Sequence, residues 1–142
     1  MRKNIEAFHQ HPYLRYSKSK AEELVNLVLR CENFIAENIT IVFVDKTKIK
    51  QLHLHFLHLP TITDVITFHY NEGKKIEGEI YICLDQAQLQ AKSYSQTFTQ
   101  EVSRLVVHGA LHLVGYSDSN KKLRKKMTEK ENFYLKKTGL LH

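Results

Sequence analysis

The pattern of apolar and polar positions predicts a chain that alternates between helices and strands. In five stretches, apolar residues recur every three or four positions, which is the spacing of one helix face. These predicted helices are 18–33, 46–57, 86–94, a run that begins at Thr97 or Thr99 and reaches the histidines at 108 and 112, and a last, strongly basic run through Leu123, Met127 and Tyr134. On the second helix, Ile49, Leu52 and Phe56 form the apolar side. Asp85 is the expected N-cap of the third helix.

Four other stretches have the composition of strands. Ile39 to Val44 is β-branched and apolar on both faces, which is typical of a central strand covered on two sides. The stretches 64–70 and 76–84 flank a turn-rich segment, 71–74, and are predicted to pair as a hairpin. Weak alternation over residues 3–9 predicts a first strand. Together the elements predict an α+β fold: a single small mixed β-sheet of about four strands, packed with about five or six helices, in one domain over residues 1–142.

The composition is that of a soluble globular protein. Hydrophobic residues make up 42% of the chain and charged residues 25%, and no segment is rich in proline, glycine or serine. The two cysteines, Cys31 and Cys83, each lie alone in an apolar setting, which argues against a disulfide framework. The first residues lack the apolar core of a signal peptide, and no apolar run is long enough to span a membrane. These features predict a cytoplasmic protein that does not associate with membranes.

The net charge of +6 is concentrated near the C-terminus. Between Lys121 and Lys137 there are eight lysine or arginine residues against two glutamates. Such a basic helix is expected of a protein that contacts a phosphate backbone. The candidate contacts are Lys121, Lys122, Arg124 and Lys125. A lysine-rich helix surface that is simply solvated has the same composition, so charge alone does not decide between the two.

One short segment has the spacing of a metal site. His108 and His112 are four residues apart, so on a helix both imidazoles lie on one face and can reach a single ion. Gly115 is suited to end this helix, and Asp118 can then return as a third ligand. Three protein ligands leave an ion open to water or substrate. Histidines four apart also occur by chance, and Gly109 stands where a zincin peptidase has its catalytic glutamate, which disfavours an ordinary peptidase.

The histidine motif is accompanied by two strand motifs. The three are His-Gly-Ala-Leu-His-Leu-Val-Gly-Tyr at 108–116, Thr-Asp-Val-Ile-Thr-Phe at 63–68 and Gly-Glu-Ile at 78–80. In order and spacing they resemble the YbeY family of metal-dependent endoribonucleases. The resemblance runs from the strand at Ile39 to the sequence Met127-x-x-x-Glu131 of the last helix. It implies an α+β domain with a zincin-like metal-binding helix.

The resemblance also implies an activity, a site and partners. The activity is cleavage of single-stranded RNA in maturation of the 3′ end of small-subunit ribosomal RNA and in ribosome quality control. One Zn²⁺ ion would be bound by His108, His112 and Asp118, and the two histidines would act in catalysis together with Asp64 of the Thr-Asp motif. The partners would be RNA and the ribosome or ribosomal proteins. The basic residues of the last helix would hold the RNA backbone without reading its sequence.

The chain departs from the family pattern at two positions. Asp118 stands where the family has a third histidine, and two histidines with one carboxylate suit iron(II) or another divalent metal as well as zinc. Leu57 stands where the family has an arginine, six residues before Thr63. A guanidinium group is suited to bind a phosphate oxygen. Its absence leaves the negative charge of the phosphate in the transition state to be stabilised by the metal and some other cation. It also keeps open an alternative function, a non-catalytic ribosome-associated RNA-binding factor with a structural metal.

A group of three histidines precedes the Thr-Asp motif. His53, His55 and His58 lie near the end of the second predicted helix, and His53 aligns with a polar residue of the family. The group has two interpretations: a second metal or phosphate contact, or histidines that are exposed near a helix end.

Overall fold

The computed structural model describes residues 3–70 and 73–141. Residues 71 and 72 of the predicted turn lie outside the described residues. In chain order the elements are β1 (Ile5–His9), α1 (Lys18–Cys31), β2 (Ile35–Val44), α2 (Lys46–Leu57), β3 (Val65–His69), β4 (Lys75–Cys83), α3 (Leu84–Ser93), α4 (Phe98–Leu113) and α5 (Lys121–Lys137). Every predicted element is present, and β2 begins four residues before the predicted start at Ile39. Within the described ranges, no helix is long and apolar enough to cross a membrane.

The four strands form one mixed sheet in the order β1-β2-β4-β3. β2 pairs in parallel with both β1 and β4, and β4 pairs antiparallel with β3. This confirms the predicted hairpin and the predicted central position of β2. With five helices packed around this four-stranded sheet, the α+β prediction is confirmed.

The two faces of the sheet are covered unequally. Because side chains alternate along a strand, Ile41 and Ile80 face a large core formed mainly with α1 and α4. Val42 and Ile66 face a smaller cluster with Ile49 and Leu52 of α2. The larger core holds α4 firmly, whereas α2 covers only part of the other face.

The prediction that Asp85 caps α3 is wrong. That helix begins at Leu84, two residues before its predicted start, and Cys83 occupies the N-cap position without a side-chain hydrogen bond. The Asp85 carboxylate instead accepts a hydrogen bond from the backbone N–H of Lys46 at 2.8 Å, and its other oxygen lies 3.0 Å from Nε2 of His11. Asp85 therefore joins three separate segments rather than ending one helix.

Two residues that belong to apolar stretches of the sequence are exposed. Phe56 is 54% exposed, since it lies in the last turn of α2, above the edge strand β3. Its ring contacts those of Phe68 and His55, with centroid distances of 5.1 and 4.6 Å. Cys31 is exposed at the last residue of α1, whereas Cys83 is buried in the sheet. Burial raises the pKa of the Cys83 thiol to about 11. The two thiols therefore have different environments.

Gly109 marks the closest approach of α4 to the sheet. A Cβ atom built at this position would lie 2.6 Å from Cγ2 of Ile80, well inside the usual carbon–carbon contact distance of about 3.5–4.0 Å. The Ile80 side chain is fully buried and has no space to move aside. Glycine is therefore needed here for helix-to-sheet packing.

We expect Gly109→Ala to lower the free energy of unfolding by about 1–3 kcal/mol, the usual cost of overpacking a core. Helix propensity alone predicts the opposite, a gain of about 1 kcal/mol. Urea denaturation followed by circular dichroism distinguishes the two. In the background of Ile80→Ala, which removes the contacted atoms, the cost of Gly109→Ala should shrink. A Gly109→Ala protein that is more stable than wild type would contradict the packing role.

Candidate metal centre

The two histidines lie in the second half of α4. A capping box fixes the start of this helix: Thr97 and Gln100 each accept a hydrogen bond from the other's backbone N–H, at 3.0 and 2.9 Å. One side of the helix is buried in the core, and His108 and His112 lie at its margin, where they line a hollow together with Thr67 of β3. The helix thus presents both imidazoles beside the edge strand.

A tight turn after α4 brings the third residue back to the histidines. Gly115 has a φ of +102°, which glycine adopts without steric cost, and Asp118 follows in the connection to α5. Oδ2 of Asp118 lies 3.3 Å from Nε2 of His108 and 3.5 Å from Nε2 of His112. The two Nε2 atoms are 3.0 Å apart. The structure therefore brings together the three residues predicted as ligands.

This cluster fits a divalent metal ion. An ion about 2.0–2.1 Å from each ligand atom in tetrahedral geometry sets neighbouring ligand atoms about 3.3 Å apart. The observed separations of 3.0, 3.3 and 3.5 Å are close to that value. The side chain of Asp118 is 46% exposed, so solvent reaches the cluster. Three ligands with an accessible fourth position are the arrangement of catalytic rather than structural metal sites.

Glu131 orients His108, and it is the residue that the sequence analysis missed. Its side chain is buried, and Oε2 accepts a hydrogen bond of 2.6 Å from Nδ1 of His108. Its other oxygen accepts one from Nη1 of Arg104 at 3.0 Å. With Nδ1 carrying the proton, Nε2 of His108 is left with its lone pair toward the cluster. One signal was available: Glu131 follows Met127 by four residues, on the apolar side of α5.

The environment affects the two imidazoles differently. Burial disfavours protonated His108, but the hydrogen bond with Glu131 and the charges of Glu131, Asp118 and Asp64 outweigh it and raise the pKa of His108. Burial and the adjacent His108 lower the pKa of His112. A metal ion binds unprotonated nitrogen. Its binding is therefore coupled to release of the proton that His108, with its raised pKa, holds more tightly.

Asp64 lies beside the cluster, between two hollows. A hollow of about 230 Å³ extends between α4 and α5, and one of about 280 Å³ lies along α2 and β3. Asp64, His108 and Asp118 line both. The side-chain amide of Gln90 donates to Asp64 at 3.3 Å and to Glu101 at 2.8 Å. The cluster is therefore open on two sides, as a site for a chain-like substrate requires.

The four predicted RNA contacts do not occupy equivalent positions. Lys121, Lys122 and Lys125 are exposed on α5 and line neither hollow. Arg124 lines the hollow between α4 and α5, next to His108 and Asp118. Leu57 lines the other hollow, from α2. The lysines can contact a backbone that passes over the surface, whereas Arg124 borders the cluster itself.

The three histidines of α2 are not brought together as a metal site. His53 is buried, with Nδ1 2.8 Å from the carbonyl oxygen of Thr61, and it lines the hollow near Leu57. His55 is exposed, and His58 ends the helix in a left-handed conformation with a φ of 58°. Among the described residues these three form no ligand group. The exposed interpretation holds for His55 and His58.

The fold and the cluster define a class of protein: a small α+β protein whose sheet-packed helix carries two histidines that, with one carboxylate, could hold a metal ion. The sequence model of the family described as Endoribonuclease YbeY matches residues 5–139. The chain therefore belongs to the Endoribonuclease YbeY family.

Individual relatives agree with this assignment. The chain is 39% identical to the Endoribonuclease YbeY of Chlorobium phaeobacteroides over 85% of each chain. It is 37% identical to that of Amoebophilus asiaticus over 78% of this chain and 76% of the relative. The solution structure of the Thermotoga maritima protein TM1509 has a TM-score of 0.62 and 26% identity, covering 94% of this chain and 91% of that one.

We expect Glu131→Ala to weaken metal binding by about 10–100-fold, because His108 loses the acceptor that orients it. Glu131→Gln keeps an acceptor oxygen and should lose less. The measurement is a Co²⁺ titration followed by visible absorption, with circular dichroism to verify folding. Glu129→Ala, an exposed position on the same helix, is the matched control. Equal affinities in Glu131→Ala and Glu129→Ala would exclude the orienting role.

Proposed function

We propose that this protein is a metal-dependent, single-strand-specific endoribonuclease that acts in 3′-end maturation of small-subunit ribosomal RNA and in ribosome quality control. The observation that carries the proposal is the open three-ligand cluster, with hollows on both sides of it. Membership of a family named for endoribonuclease activity supports it. The whole chain, residues 1–142, acts as one domain in the cytoplasm, with RNA and the ribosome or ribosomal proteins as partners.

Zinc is the metal proposed for the cluster. Nε2 of His108, Nε2 of His112 and a carboxylate oxygen of Asp118 provide its ligands. Two histidines and one carboxylate also suit iron(II), so cleavage is to be measured with each of the two metals. When bound, the ion polarises a phosphoryl oxygen and lowers the pKa of water.

The chain's own residues supply positioning and proton transfer. Asp64 borders the cluster from the start of β3, and its carboxylate accepts the proton that the attacking water gives up. The water oxygen bonds to phosphorus as the bond to the leaving oxygen breaks, and the leaving oxygen takes up a proton from solvent to become a hydroxyl group. Gln90 donates a hydrogen bond to Asp64 and holds its carboxylate in place. Asp64 thus replaces the glutamate that a peptidase carries where this chain has Gly109.

The proposed RNA contacts lie along the exposed side of α5. Lys121, Lys122 and Lys125 are exposed and can bind phosphates of the RNA strand that lie on either side of the cluster. Contacts of this kind hold the backbone without reading the bases. They account for binding, whereas the metal cluster and Asp64 account for cleavage.

We expect His112→Ala to abolish cleavage of single-stranded RNA by the Zn²⁺-loaded or Fe²⁺-loaded protein, since one of three ligands is lost. His69→Ala, an exposed histidine at the end of β3, should cleave like wild type and is the matched control. Loss of cleavage in His112→Ala, purified in the same way, also excludes a copurified nuclease. RNA binding, measured by fluorescence anisotropy, should persist in His112→Ala. Equal cleavage by His112→Ala and wild type would overturn the enzymatic proposal, and loss of folding or RNA binding would favour the non-catalytic alternative with a structural metal.

We expect replacement of Lys121, Lys122 and Lys125 by alanine to make RNA binding less sensitive to salt. Each lost phosphate contact with single-stranded RNA reduces the slope of log K against log salt concentration by about 0.7, so the triple variant should lose about 2. The measurement is anisotropy at several KCl concentrations with His112→Ala as the uncleaving background. An unchanged slope would show that this face is only solvated.

A further inference from the structure

The hollow between α4 and α5 is lined by groups of both charges. Carboxylates and guanidinium groups line it together: Asp64, Glu101, Asp118 and Glu131 against Arg104 and Arg124. A divalent ion brings these six side chains to neutrality. An RNA phosphodiester then adds a further negative charge in a partly enclosed space. The requirement for a phosphate contact is therefore a lining cation whose N–H donors are not already engaged.

Arg104 does not meet this requirement. Its Nη1 donates to Glu131 at 3.0 Å and its Nη2 to Asn132 at 2.9 Å. The side chain is only 28% exposed. Turning it toward a substrate would leave the buried Glu131 carboxylate with one partner fewer, which is costly. Arg104 is therefore committed to holding α5.

Arg124 meets the requirement. It lies in the first turn of α5, and on a helix it shares a face with Thr128 and Glu131, which line the same hollow. Among the described residues its guanidinium makes one hydrogen bond, from Nη1 to the backbone oxygen of Asp118 at 3.4 Å. The side chain is exposed, so its other N–H groups remain available beside the cluster.

We propose that Arg124 binds a non-bridging oxygen of the scissile phosphate. The inference rests on the proposed function and assigns this residue a role that the neighbouring lysines do not share. Leu57, where the family pattern has its arginine, borders the cluster from α2, and Arg124 borders it from α5. A guanidinium fork can bind two phosphate oxygens and stabilise the charge that grows on them as the water oxygen bonds to phosphorus. The cation that the family pattern places on α2 is thus supplied here by α5.

The test compares Arg124→Ala with Lys136→Ala, which removes the same charge from an exposed position about 18 Å farther along α5. The substrate is a short fluorescein-labelled single-stranded RNA, with saturating Zn²⁺. We expect kcat of Arg124→Ala to fall about 100-fold with KM rising no more than about tenfold, and Lys136→Ala to match wild type. Co²⁺ affinity should be the same in both variants. Adding Leu57→Arg to Arg124→Ala should restore at least about tenfold in kcat.

Binding of inorganic phosphate to the Zn²⁺-loaded protein provides a readout that is independent of cleavage. Arg124→Ala should weaken it about tenfold relative to Lys136→Ala. If wild type binds phosphate through Arg124 but cleaves no RNA, the proposed function fails while the phosphate site stands. If Arg124→Ala equals Lys136→Ala in both kcat and phosphate affinity, or raises only KM, the assignment of Arg124 is overturned.

Discussion

The metal centre depends on how closely α4 can lie against the sheet. A side chain at position 109 would collide with Ile80, so the helix reaches its place only because glycine stands there. That contact sets the height and rotation of the helix turns that carry His108 and His112. It also removes the residue that zincin peptidases use as a base, and under the proposed function proton transfer passes to Asp64, outside the helix. Packing thus constrains which element supplies the base.

A second dependence links the site to the C-terminal helix. The carboxylate of Glu131 is buried on a strongly basic helix, and it is stabilised by two partners on α4, His108 and Arg104. Because one carboxylate bonds both a ligand and a guanidinium group, the geometry of the metal centre and the packing of α4 on α5 cannot change independently. The same helix presents Arg124 two turns earlier, so the element that orients a ligand also carries a cation to the cluster.

Periodicity in the sequence is sufficient to predict the elements, because local spacing determines which residues can share a buried face. It does not encode the sheet order, since β2 pairs in parallel with strands that lie far from it in the chain. Periodicity places Phe56 on the apolar side of α2, but it does not show where the sheet beneath that helix ends. The sequence places Asp85 where an N-cap is expected. Its carboxylate instead accepts a hydrogen bond from the backbone N–H of Lys46, 39 residues away. The spacing of His108, His112 and Asp118 predicts their cluster, whereas the role of Glu131 depends on a contact across 23 residues.

The hydrogen bond between His108 and Glu131 closes a loop of the chain that contains Asp118. Closing a loop of this length costs about 3 kcal/mol of conformational entropy, and that cost is met when the protein folds. An ion bound by Asp118 and the two histidines would therefore hold a connection whose ends are already fixed by folding. If α5 detached from α4, the loop would open and the connection would regain its conformational freedom. Metal binding should then weaken when the C-terminal helix detaches, before the sheet itself is disturbed.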